Sequence, residues 1–434
     1  MKIRSHSYLF MFLSLFNVAE VRADSNAPLR LSDLLAESSR RNPGVLAMRQ
    51  RWEAEKSKID AFRLPADPKV GLNLEKIRRG KSPKSKNAGT DMYMVEQDIP
   101  FPGKLSARKK AQIHAARISQ YEYLRTLLEI QADVTAAYYE YWQLLESLRI
   151  RRAHSRILER FSNVTERQYA SGRVMQRDVL RAQAEADKIS VELSNLEERL
   201  PAVKTRLNAL LNRPADSAPG IPEEPRVNFA APDGAGLEAA TIASNVDLKA
   251  AHHHIEHSRF LLKEAKLSFL PDFTAGWARM TEDGMPKVYN ASLFLNVPLY
   301  FWKQRAQVRA AEADLGHAES EWARMRNEVT VDFRVALADI RNAARMANIY
   351  RTSVLPRSRK TLEVVESGYL ANRAGFLDLL DAQQQLLFEE LAYVNLLTEY
   401  GKARAILDRV TGLSVAGMTN DQRDTGGTSH DQTH

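Results

Sequence analysis

Residues 369–383 read YLANRAGFLDLLDAQ, and a related segment, YASGRVMQRDVLRAQ, occupies residues 169–183. Each segment has a turn-permissive residue, Gly172 or Asn372, where one helix can end. An Asp-x-Leu-x-Ala motif then follows, where the next helix can begin. Repetition of this layout predicts two copies of one helix–turn–helix tip, and hence a duplicated fold. The positions shared by both segments include Tyr169/Tyr369, Asp178/Asp378, Ala182/Ala382 and Gln183/Gln383.

The N-terminal segment has the parts of a secretory signal. Lys2 and Arg4 precede an apolar run at residues 8–18, and Val-Arg-Ala at residues 21–23 is typical of a cleavage site. The apolar run has about half of the ~20 residues that a membrane-spanning helix needs. We therefore predict a cleaved signal peptide at residues 1–23 and an exported mature protein.

The composition favours long helices held together by packing alone. The chain has no cysteine, so neither a disulfide nor a lipidated N-terminal cysteine is available. Charged residues make up 27% of the sequence, and glycine is scarce. The net charge of +8 comes from basic residues mixed with acidic ones along the helical segments. This pattern predicts solvated helix faces and no nucleic-acid binding.

The first half is predicted to be one structural repeat, residues 24–225. Val70, Leu72 and Leu74 alternate with polar residues, which predicts a strand with unlike faces. The following helical pattern is long enough for a rod on the order of 100 Å. The predicted elements are an entering helix interrupted at Asn42-Pro43, a β-hairpin at 68–100 with an exposed loop at 78–89, a long helix at 103–171 and a return helix at 175–211.

The second half repeats these parts, and we predict a second structural repeat at residues 226–414. Leu270-Pro271 matches Leu64-Pro65 before the hairpin. Val297-Pro298 and Lys303 match Ile99-Pro100 and Lys104 after it. The predicted elements are an entering helix at 237–269, a β-hairpin at 272–298, a long helix at 302–370, with Pro356 near its last turns, and a return helix at 375–408. A polar tail at 415–434 is predicted to be disordered.

This duplicated order resembles the TolC-like outer-membrane factor family of bacterial efflux systems. The most specific motifs are DVLRA at 178–182, DLLDA at 378–382 and QDIPFPGK at 97–104. The resemblance implies a mainly α-helical chain with a small transmembrane β part. It also implies a homotrimer whose twelve strands form one outer-membrane β-barrel that continues into a periplasmic α-helical barrel. Closure by further copies agrees with the physics, because isolated hairpins leave unpaired edges.

The function implied by the resemblance is an outer-membrane channel in a tripartite efflux or secretion system. The channel is a passive exit duct for solutes, with metal ions among the candidates, and it is gated at the periplasmic helix tips. An RND-type inner-membrane transporter and a periplasmic adaptor are the expected partners, together with outer-membrane lipid. No nucleophile elbow, phosphate loop or metal triad occurs in the sequence, so neither an enzyme nor a cofactor is expected. A periplasmic coiled-coil adaptor or scaffold without a pore is the alternative.

Two acidic residues in the second tip are candidates for the gate. Asp378 and Asp381 are spaced i,i+3, so they share one face near a helix start. Acidic residues at a helix N-terminus are also stabilised by the helix dipole, by ~0.3–1 kcal/mol each when exposed. The resemblance implies more, because both positions match the acidic pair that lines the periplasmic constriction. In a symmetric trimer they make two carboxylate rings that favour cations.

The tips also contain candidates for contacts that hold the closed state. The family resemblance places Tyr169, Arg177, Asp178 and Tyr369 at such contacts. Arg373 lies one residue before the position where the family pattern has an arginine. Aromatic packing and helix capping are the alternative explanation for these residues.

A histidine cluster on the second entering helix suggests a metal site. His253 and His257 are spaced i,i+4 on one face. No Glu-x-x-His pattern or cysteine accompanies them, and two ligands do not make a closed site, so a solvated face is expected and both are weak candidates for a zinc or copper site. The Pro-Phe-Pro-Gly-Lys segment at 100–104 resembles the heavy-metal branch of the family, and the tail carries His430 and His434.

Overall fold

The computed structural model describes residues 28–62, 64–77, 88–225, 227, 234–282, 285–371 and 373–412. Several predictions from the sequence fall outside these residues. They are the signal peptide at 1–23, most of the first hairpin loop at 78–89, the turn residue Asn372, the tail at 415–434 and the tail histidines His430 and His434.

The first half folds into helices and one hairpin in the predicted order. The long helix has 67 residues and is therefore ~100 Å long at 1.5 Å per residue. The return helix continues through Pro201. The elements are α1 (Leu31–Arg41), α2 (Pro43–Ala61), β1 (Lys69–Ile77), β2 (Ala88–Ile99), α3 (Lys104–Ala170) and α4 (Gln176–Leu210).

The second half has the same order of elements, with one additional irregularity in its long helix. Gly412 ends the last helix with a left-handed backbone, φ 64°, which glycine adopts without strain. The elements are α5 (Gly234–Ser244), α6 (Val246–Leu267), β3 (Asp272–Glu282), β4 (Val288–Asn296), α7 (Phe301–Ile349), a π-helical turn (Tyr350–Val354), α8 (Leu355–Leu370) and α9 (Phe376–Thr411).

An asparagine breaks the entering helix of each half. Oδ1 of Asn42, and likewise of Asn245, accepts hydrogen bonds from two backbone N–H groups of the next helix, at 2.9–3.3 Å. The Nδ2 of Asn42 donates to the Leu210 carbonyl at 2.9 Å, and that of Asn245 to the Val410 carbonyl at 2.8 Å. The prediction of a continuous helix at 237–269 was therefore wrong. The prediction missed that Asn245 is the N-cap of the next helix in the second half, as Asn42 is in the first half.

The second long helix, predicted to be unbroken at 302–370, contains a π-helical turn at Tyr350–Val354. Pro356 follows this turn and occupies one of the first two positions of α8. Proline has no N–H to donate and its ring crowds the preceding turn, so one hydrogen bond of the helix is lost at this position. The wider π turn accommodates that loss without ending the rod.

The π turn also accounts for a difference in length between the two long helices. Tyr169 follows Lys104 by 65 residues, whereas Tyr369 follows Lys303 by 66. A π turn closes i→i+5 hydrogen bonds and therefore winds one more residue than an α turn. The extra residue in the second half is absorbed there, so the matched residues at both ends of the rods stay equivalent.

The four strands among the described residues form one antiparallel sheet in the order β1-β2-β3-β4. Residues that lie opposite each other share a face, so the registers define two unlike faces. One face is apolar and exposed, with Val70 79% and Leu293 72% accessible; its polar residues are Asp91 and Arg279 toward the hairpin ends and Gln97 toward the opposite end. The other face carries polar and small residues together with methionines and Phe294. The apolar face consists of Val70, Leu72, Leu74, Tyr93, Val95, Ile99, Phe273, Ala275, Trp277, Tyr289, Ala291, Leu293 and Leu295.

The helices pack around α3, which contacts α1, α2, α4, α6 and α9. Near the tips, α3 and α4 share a buried cluster with α8 and α9 that includes Phe161, Leu362 and Leu379. None of the helices in the described residues has an apolar stretch long enough to cross a membrane. The chain is thus mainly α-helical with a duplicated hairpin and long-helix layout, which confirms the predicted fold class.

Candidate gate at the helix tips

The first tip is a tight turn between α3 and α4. Its backbone reverses at Gly172, where φ is +71°, a value that favours glycine. The N–H of Gly172 donates to the Tyr169 carbonyl and that of Arg173 to the Gln168 carbonyl, both at 2.8 Å. These bonds satisfy carbonyls that the end of α3 leaves free.

The second tip is built in the same way, which makes the two acidic residues equivalent. The backbone N–H of Arg373 donates to the Gly368 carbonyl at 2.7 Å. Gly375 is the N-cap of α9, and Met175 is the N-cap of α4. Asp378 and Asp178 are therefore both the third residue of their helices.

The two candidate gate residues are exposed on the first turns of α9. Oδ2 of Asp378 accepts a hydrogen bond from the Gly375 backbone N–H at 2.9 Å, so this carboxylate caps its own helix. Asp381 is exposed and has no hydrogen-bond or ion-pair partner within the described part of the chain. The structure does not bring the two carboxylates onto a common ligand. It leaves both accessible to solvent or to neighbouring copies.

The tyrosines at matching positions of the two tips differ in their surroundings. Tyr369 is 5% exposed, whereas Tyr169 is 46% exposed. The hydroxyl of Tyr369 donates to Oε1 of Gln168 at 2.8 Å and lies 3.4 Å from the Thr165 hydroxyl. Its ring centroid lies 6.1 Å from that of Phe376. Tyr369 thus links the second tip to the end of α3.

The predicted arginine and aspartate contacts do not cross between the tips of one chain. Nε of Arg177 lies 3.4 Å from Oδ1 of its neighbour Asp178, whose side chain is 14% exposed. Arg373 is exposed, and its side chain has no partner among the residues that the structure describes. The roles of Tyr169, Arg177 and Arg373 in a closed state therefore remain predictions.

A buried polar network above the tips was not predicted from the sequence. Gln383 lies in the repeated tip motif, and its Nε2 is 2.6 Å from Nδ1 of His154 on α3. Nε2 of His154 is 3.1 Å from Glu390, and Arg359 donates to the same carboxylate at 2.9 Å. The hydrogen bond from His154, followed by the one from Arg359, holds the pKa of Glu390 below its usual value. The signal in the sequence was that both tip motifs carry glutamine at this position, Gln183 and Gln383. Periodicity alone does not reveal that Gln383 has a partner on another helix.

The histidine candidates make separate contacts rather than one site. Nδ1 of His253 lies 3.1 Å from Nδ1 of His114 on α3, and Nδ1 of His257 lies 2.9 Å from the Ala111 carbonyl oxygen. Burial, reinforced by the neighbouring His114, lowers the pKa of His253 to about 4. Within the described residues, no group of three or more His, Asp or Glu side chains is placed to hold a metal ion.

The sequence profile of the Outer membrane efflux protein family matches residues 34–213 and 239–413. The chain belongs to this family. The two matched blocks coincide with the two halves that share the hairpin, rod and tip. The chain is therefore the outer-membrane channel component of an efflux system of the tripartite type, as the sequence analysis predicted.

Individual relatives cover nearly the whole chain. The cobalt-zinc-cadmium resistance protein CzcC of Cupriavidus metallidurans is 22% identical over 402 residues, which is 90% of this chain and 91% of the relative. The outer membrane protein VceC of Vibrio cholerae has a TM-score of 0.74 at 20% identity and covers 88% of this chain and 96% of its own. The MtrE outer membrane channel of Neisseria gonorrhoeae, in an open state, has a TM-score of 0.75 at 16% identity, with coverages of 90% and 93%. These structures confirm the TolC-like fold.

Proposed function

We propose that three copies of this chain form one passive duct that crosses the outer membrane and reaches through the periplasm. The observation that carries this proposal is the sheet, whose apolar face is exposed and whose strands β1 and β4 each have a free edge among the described residues. Lipid would cover the apolar face, and further copies would pair with the free edges. The number three follows the TolC-like family and gives a barrel of twelve strands.

The tips supply the gate in this proposal. Three copies of Asp378 and Asp381 make two rings of carboxylates, and such rings attract cations. The exposure of both side chains supports this role, because neither charge is neutralised within the described part of the chain. Tyr369 stabilises the closed arrangement through its hydrogen bond to Gln168.

The remaining parts of the proposal concern export and partners. The signal peptide at residues 1–23 is cleaved, and most of the mature chain lies in the periplasm. A periplasmic adaptor grips the tips, and an RND-type transporter in the inner membrane supplies the energy. The duct itself catalyses no reaction, because its helical tube and polar sheet face only provide a wet path for solutes.

Purification from outer membranes and reconstitution into planar bilayers test the proposal. The expected result is a trimer that resists dissociation on unboiled gels and that conducts ions in discrete steps. A chain recovered only from the soluble or inner-membrane fraction, without conductance, contradicts it and favours the pore-less adaptor. Heating the sample before insertion is the matched control, since it separates the trimer and should abolish the steps.

We propose that metal ions are among the exported solutes. The likeness to the cobalt-zinc-cadmium resistance protein supports this, together with the Pro-Phe-Pro-Gly-Lys segment at 100–104. Cells that lack this chain should accumulate at least one of cobalt, zinc and cadmium several-fold above the parent strain, measured by elemental mass spectrometry. Unchanged metal contents together with increased sensitivity to organic drugs would contradict the metal assignment and leave the duct intact.

A further inference from the structure

The sheet contains one junction between the two halves of the chain, where β2 pairs with β3 and Met94 lies opposite Ala278. Beside this junction, Nζ of Lys104 lies 2.8 Å from Oδ1 of Asp272. The backbone N–H of Phe101 donates to the same oxygen at 2.7 Å. The Lys104 side chain is only 12% exposed. The junction therefore combines a strand pair with an ion pair whose lysine is largely buried.

Within their paired strands, the two hairpins correspond residue by residue. Gly71 lies opposite Met94 in the first hairpin, and Gly276 lies opposite Ser292 in the second. A Cβ on Gly71 would come within 2.7 Å of the Met94 side chain, and one on Gly276 within 2.5 Å of the Ser292 side chain, so the two glycines have similar surroundings. Met94 and Ser292 each lie five residues before the matched Ile-Pro and Val-Pro pairs. Gly71 thus corresponds to Gly276, and Met94 corresponds to Ser292.

We propose that β4 of one copy pairs with β1 of a second copy in the register of the internal junction. Met94 lies opposite Ala278, which is two positions after Gly276. Its counterpart Ser292 therefore lies opposite the residue two positions after Gly71, which is Asn73. This inference rests on the proposed assembly of several copies and adds the register and the contacts that close it.

The lengths of the two free strands fit this register. With Ser292 opposite Asn73, the antiparallel pairing runs from Asn296 opposite Lys69 to Val288 opposite Ile77. The strands β1 and β4 have 9 residues each, so they overlap along their whole length. No backbone group of either edge is left without a partner strand, which is what a sheet in lipid requires.

The side chains of the two strands fit the register as well. Leu293 lies opposite Leu72, and Leu295 lies opposite Val70, so the apolar face continues across the junction. On the other face, Phe294 is 59% exposed in one copy and lies opposite Gly71. A glycine leaves room for a large ring on the neighbouring strand, and such pairing is a known way to stabilise a glycine in a sheet.

The ion pair of the internal junction has a counterpart as well. Lys303 matches Lys104 after the hairpin, and Asp67 precedes Gly71 by four residues, as Asp272 precedes its glycine. Lys303 and Asp67 are both exposed, and the described part of the chain contains no ion pair for either. Their opposite charges meet when two copies join, so Lys303 of one copy binds Asp67 of the next.

Disulfide trapping tests the register, because the natural chain has no cysteine and gives no background. Directly opposed residues have Cα atoms ~4.5–5.5 Å apart, within the range that a disulfide spans. Asn73→Cys with Ser292→Cys in the full-length chain should give covalent dimers and trimers on boiled, non-reducing gels after mild oxidation. The internal counterpart, Met94→Cys with Ala278→Cys, should link within one chain and leave the boiled sample monomeric.

An off-register pair makes this experiment decisive. Asn73→Cys with Asn290→Cys shifts one partner by two residues on the same face, where residues lie ~7–8 Å apart. It should link at least five-fold less than the pair with Ser292→Cys. If the off-register pair links more strongly, or if neither pair links while unboiled gels still show a trimer, the register is overturned and the proposed duct stands. If unboiled gels show only monomer, the proposed assembly fails as well.

Charge exchange tests the ion pair separately. Lys303→Asp and Asp67→Lys, each made alone, should lower the temperature at which the unboiled trimer dissociates. The double variant should recover most of that loss, because the two charges are exchanged and can pair again. Additive losses in the double variant would overturn the ion pair between Lys303 and Asp67.

Discussion

At the scale of single residues, the position of Asp378 is compatible both with capping α9 and with the proposed role in the gate. One oxygen caps the backbone of α9 through the Gly375 N–H, at 2.9 Å. The charge itself is exposed at the helix start, where the helix dipole favours it. Asp381 has no capping contact among the described residues, so only its charge is available for function. The two residues can therefore be separated by experiment.

Removal of both charges should weaken the selectivity for cations. Asp378→Ala with Asp381→Ala should reduce the cation-to-anion permeability ratio and the block by polyvalent cations in planar bilayers, because the proposed rings lose six charges per trimer. Asp378→Asn with Asp381→Asn should shift selectivity as much, although the amide oxygen can still accept from the Gly375 N–H.

The control for this prediction is an acid away from the proposed ring. Asp187→Ala removes an exposed carboxylate from α4 and should leave selectivity unchanged. Trimer yield should be equal in all variants. Unaltered permeability ratios in the two double variants would refute the gate assignment of Asp378 and Asp381.

The hydroxyl of Tyr369 should contribute to the closed state. Tyr369→Phe removes the hydrogen bond to Gln168 and leaves the ring packed against Phe376, at a cost of about 1 kcal/mol. The open fraction of single channels should rise by roughly five-fold for that energy. Gating of Tyr369→Phe equal to that of the natural chain would show that Tyr369 is a packing residue only.

At the scale of secondary-structure elements, the sheet places alternate residues of each strand in different environments. Successive residues of β4 point to opposite faces, so a shift of one position moves a side chain from the apolar face to the polar one. Leu293 and Ser292 are therefore adjacent in the chain but lie on opposite faces of the sheet.

Replacement of these neighbours by lysine should have opposite outcomes. Leu293→Lys puts a charge on the face proposed to contact lipid, which costs about 2–4 kcal/mol near the bilayer midplane. Membrane assembly, measured as heat-resistant trimer in outer-membrane fractions, should fall strongly. Leu295→Lys should behave similarly. Ser292→Lys lies on the polar face and should assemble. Normal insertion of Leu293→Lys with failure of Ser292→Lys would show that the faces are assigned backwards.

At the scale of the whole molecule, the contact between α3 and α6 joins the two halves below the sheet. His114 and His253 meet there, and the ring of Tyr121 stacks on His253 at 5.5 Å. Burial is the largest cause that lowers the pKa of both histidines, and the charge of Glu256 opposes it. Both imidazoles therefore stay neutral in the folded protein at pH values at which the histidines of the unfolded chain already bind protons.

This arrangement makes the stability of the protein depend on pH with a defined sign. Above pH ~6.5 the histidines are neutral in the folded and unfolded states, and their contribution is constant. As the pH falls from ~6.5 toward ~4, the unfolded state binds protons that His253 in the folded state does not, so the free energy of unfolding decreases.

The melting temperature should therefore fall as the pH is lowered from 7.5 to 5, and His253→Gln should reduce that dependence. His317→Gln, on α7, is the control and should keep the full dependence. The same slope in the His253 variant and the natural chain would contradict the assignment.

Much of the fold could be predicted from the sequence because its signals are local or repeated. The alternation at Val70, Leu72 and Leu74 predicted β1, and proline and glycine bounded the rods. The break at Asn245 was missed, because no proline follows Asn245 as Pro43 follows Asn42, and an asparagine by itself is a weak signal for a helix start. The π turn was missed because one inserted residue changes the period too little to be recognised.

The candidate site was less predictable than the fold. The repeated motif located Asp378 and Asp381, and both carboxylates are exposed in the structure. The motif did not indicate that Tyr369 is buried while Tyr169 is exposed, because the two tips pack against different neighbours. The partner of Gln383, His154, lies 229 residues away in the chain, and no spacing rule reaches that far.

The sequence by itself determined the duplication, the order of hairpin, rod and tip, and the family, since each follows from patterns within one segment or between two similar ones. Only the tertiary structure decided which residues meet across elements. Strand register, the pairing of His114 with His253 and the burial of Tyr369 depend on side chains that are distant in sequence. Their contact energies exist only once the helices and strands have packed.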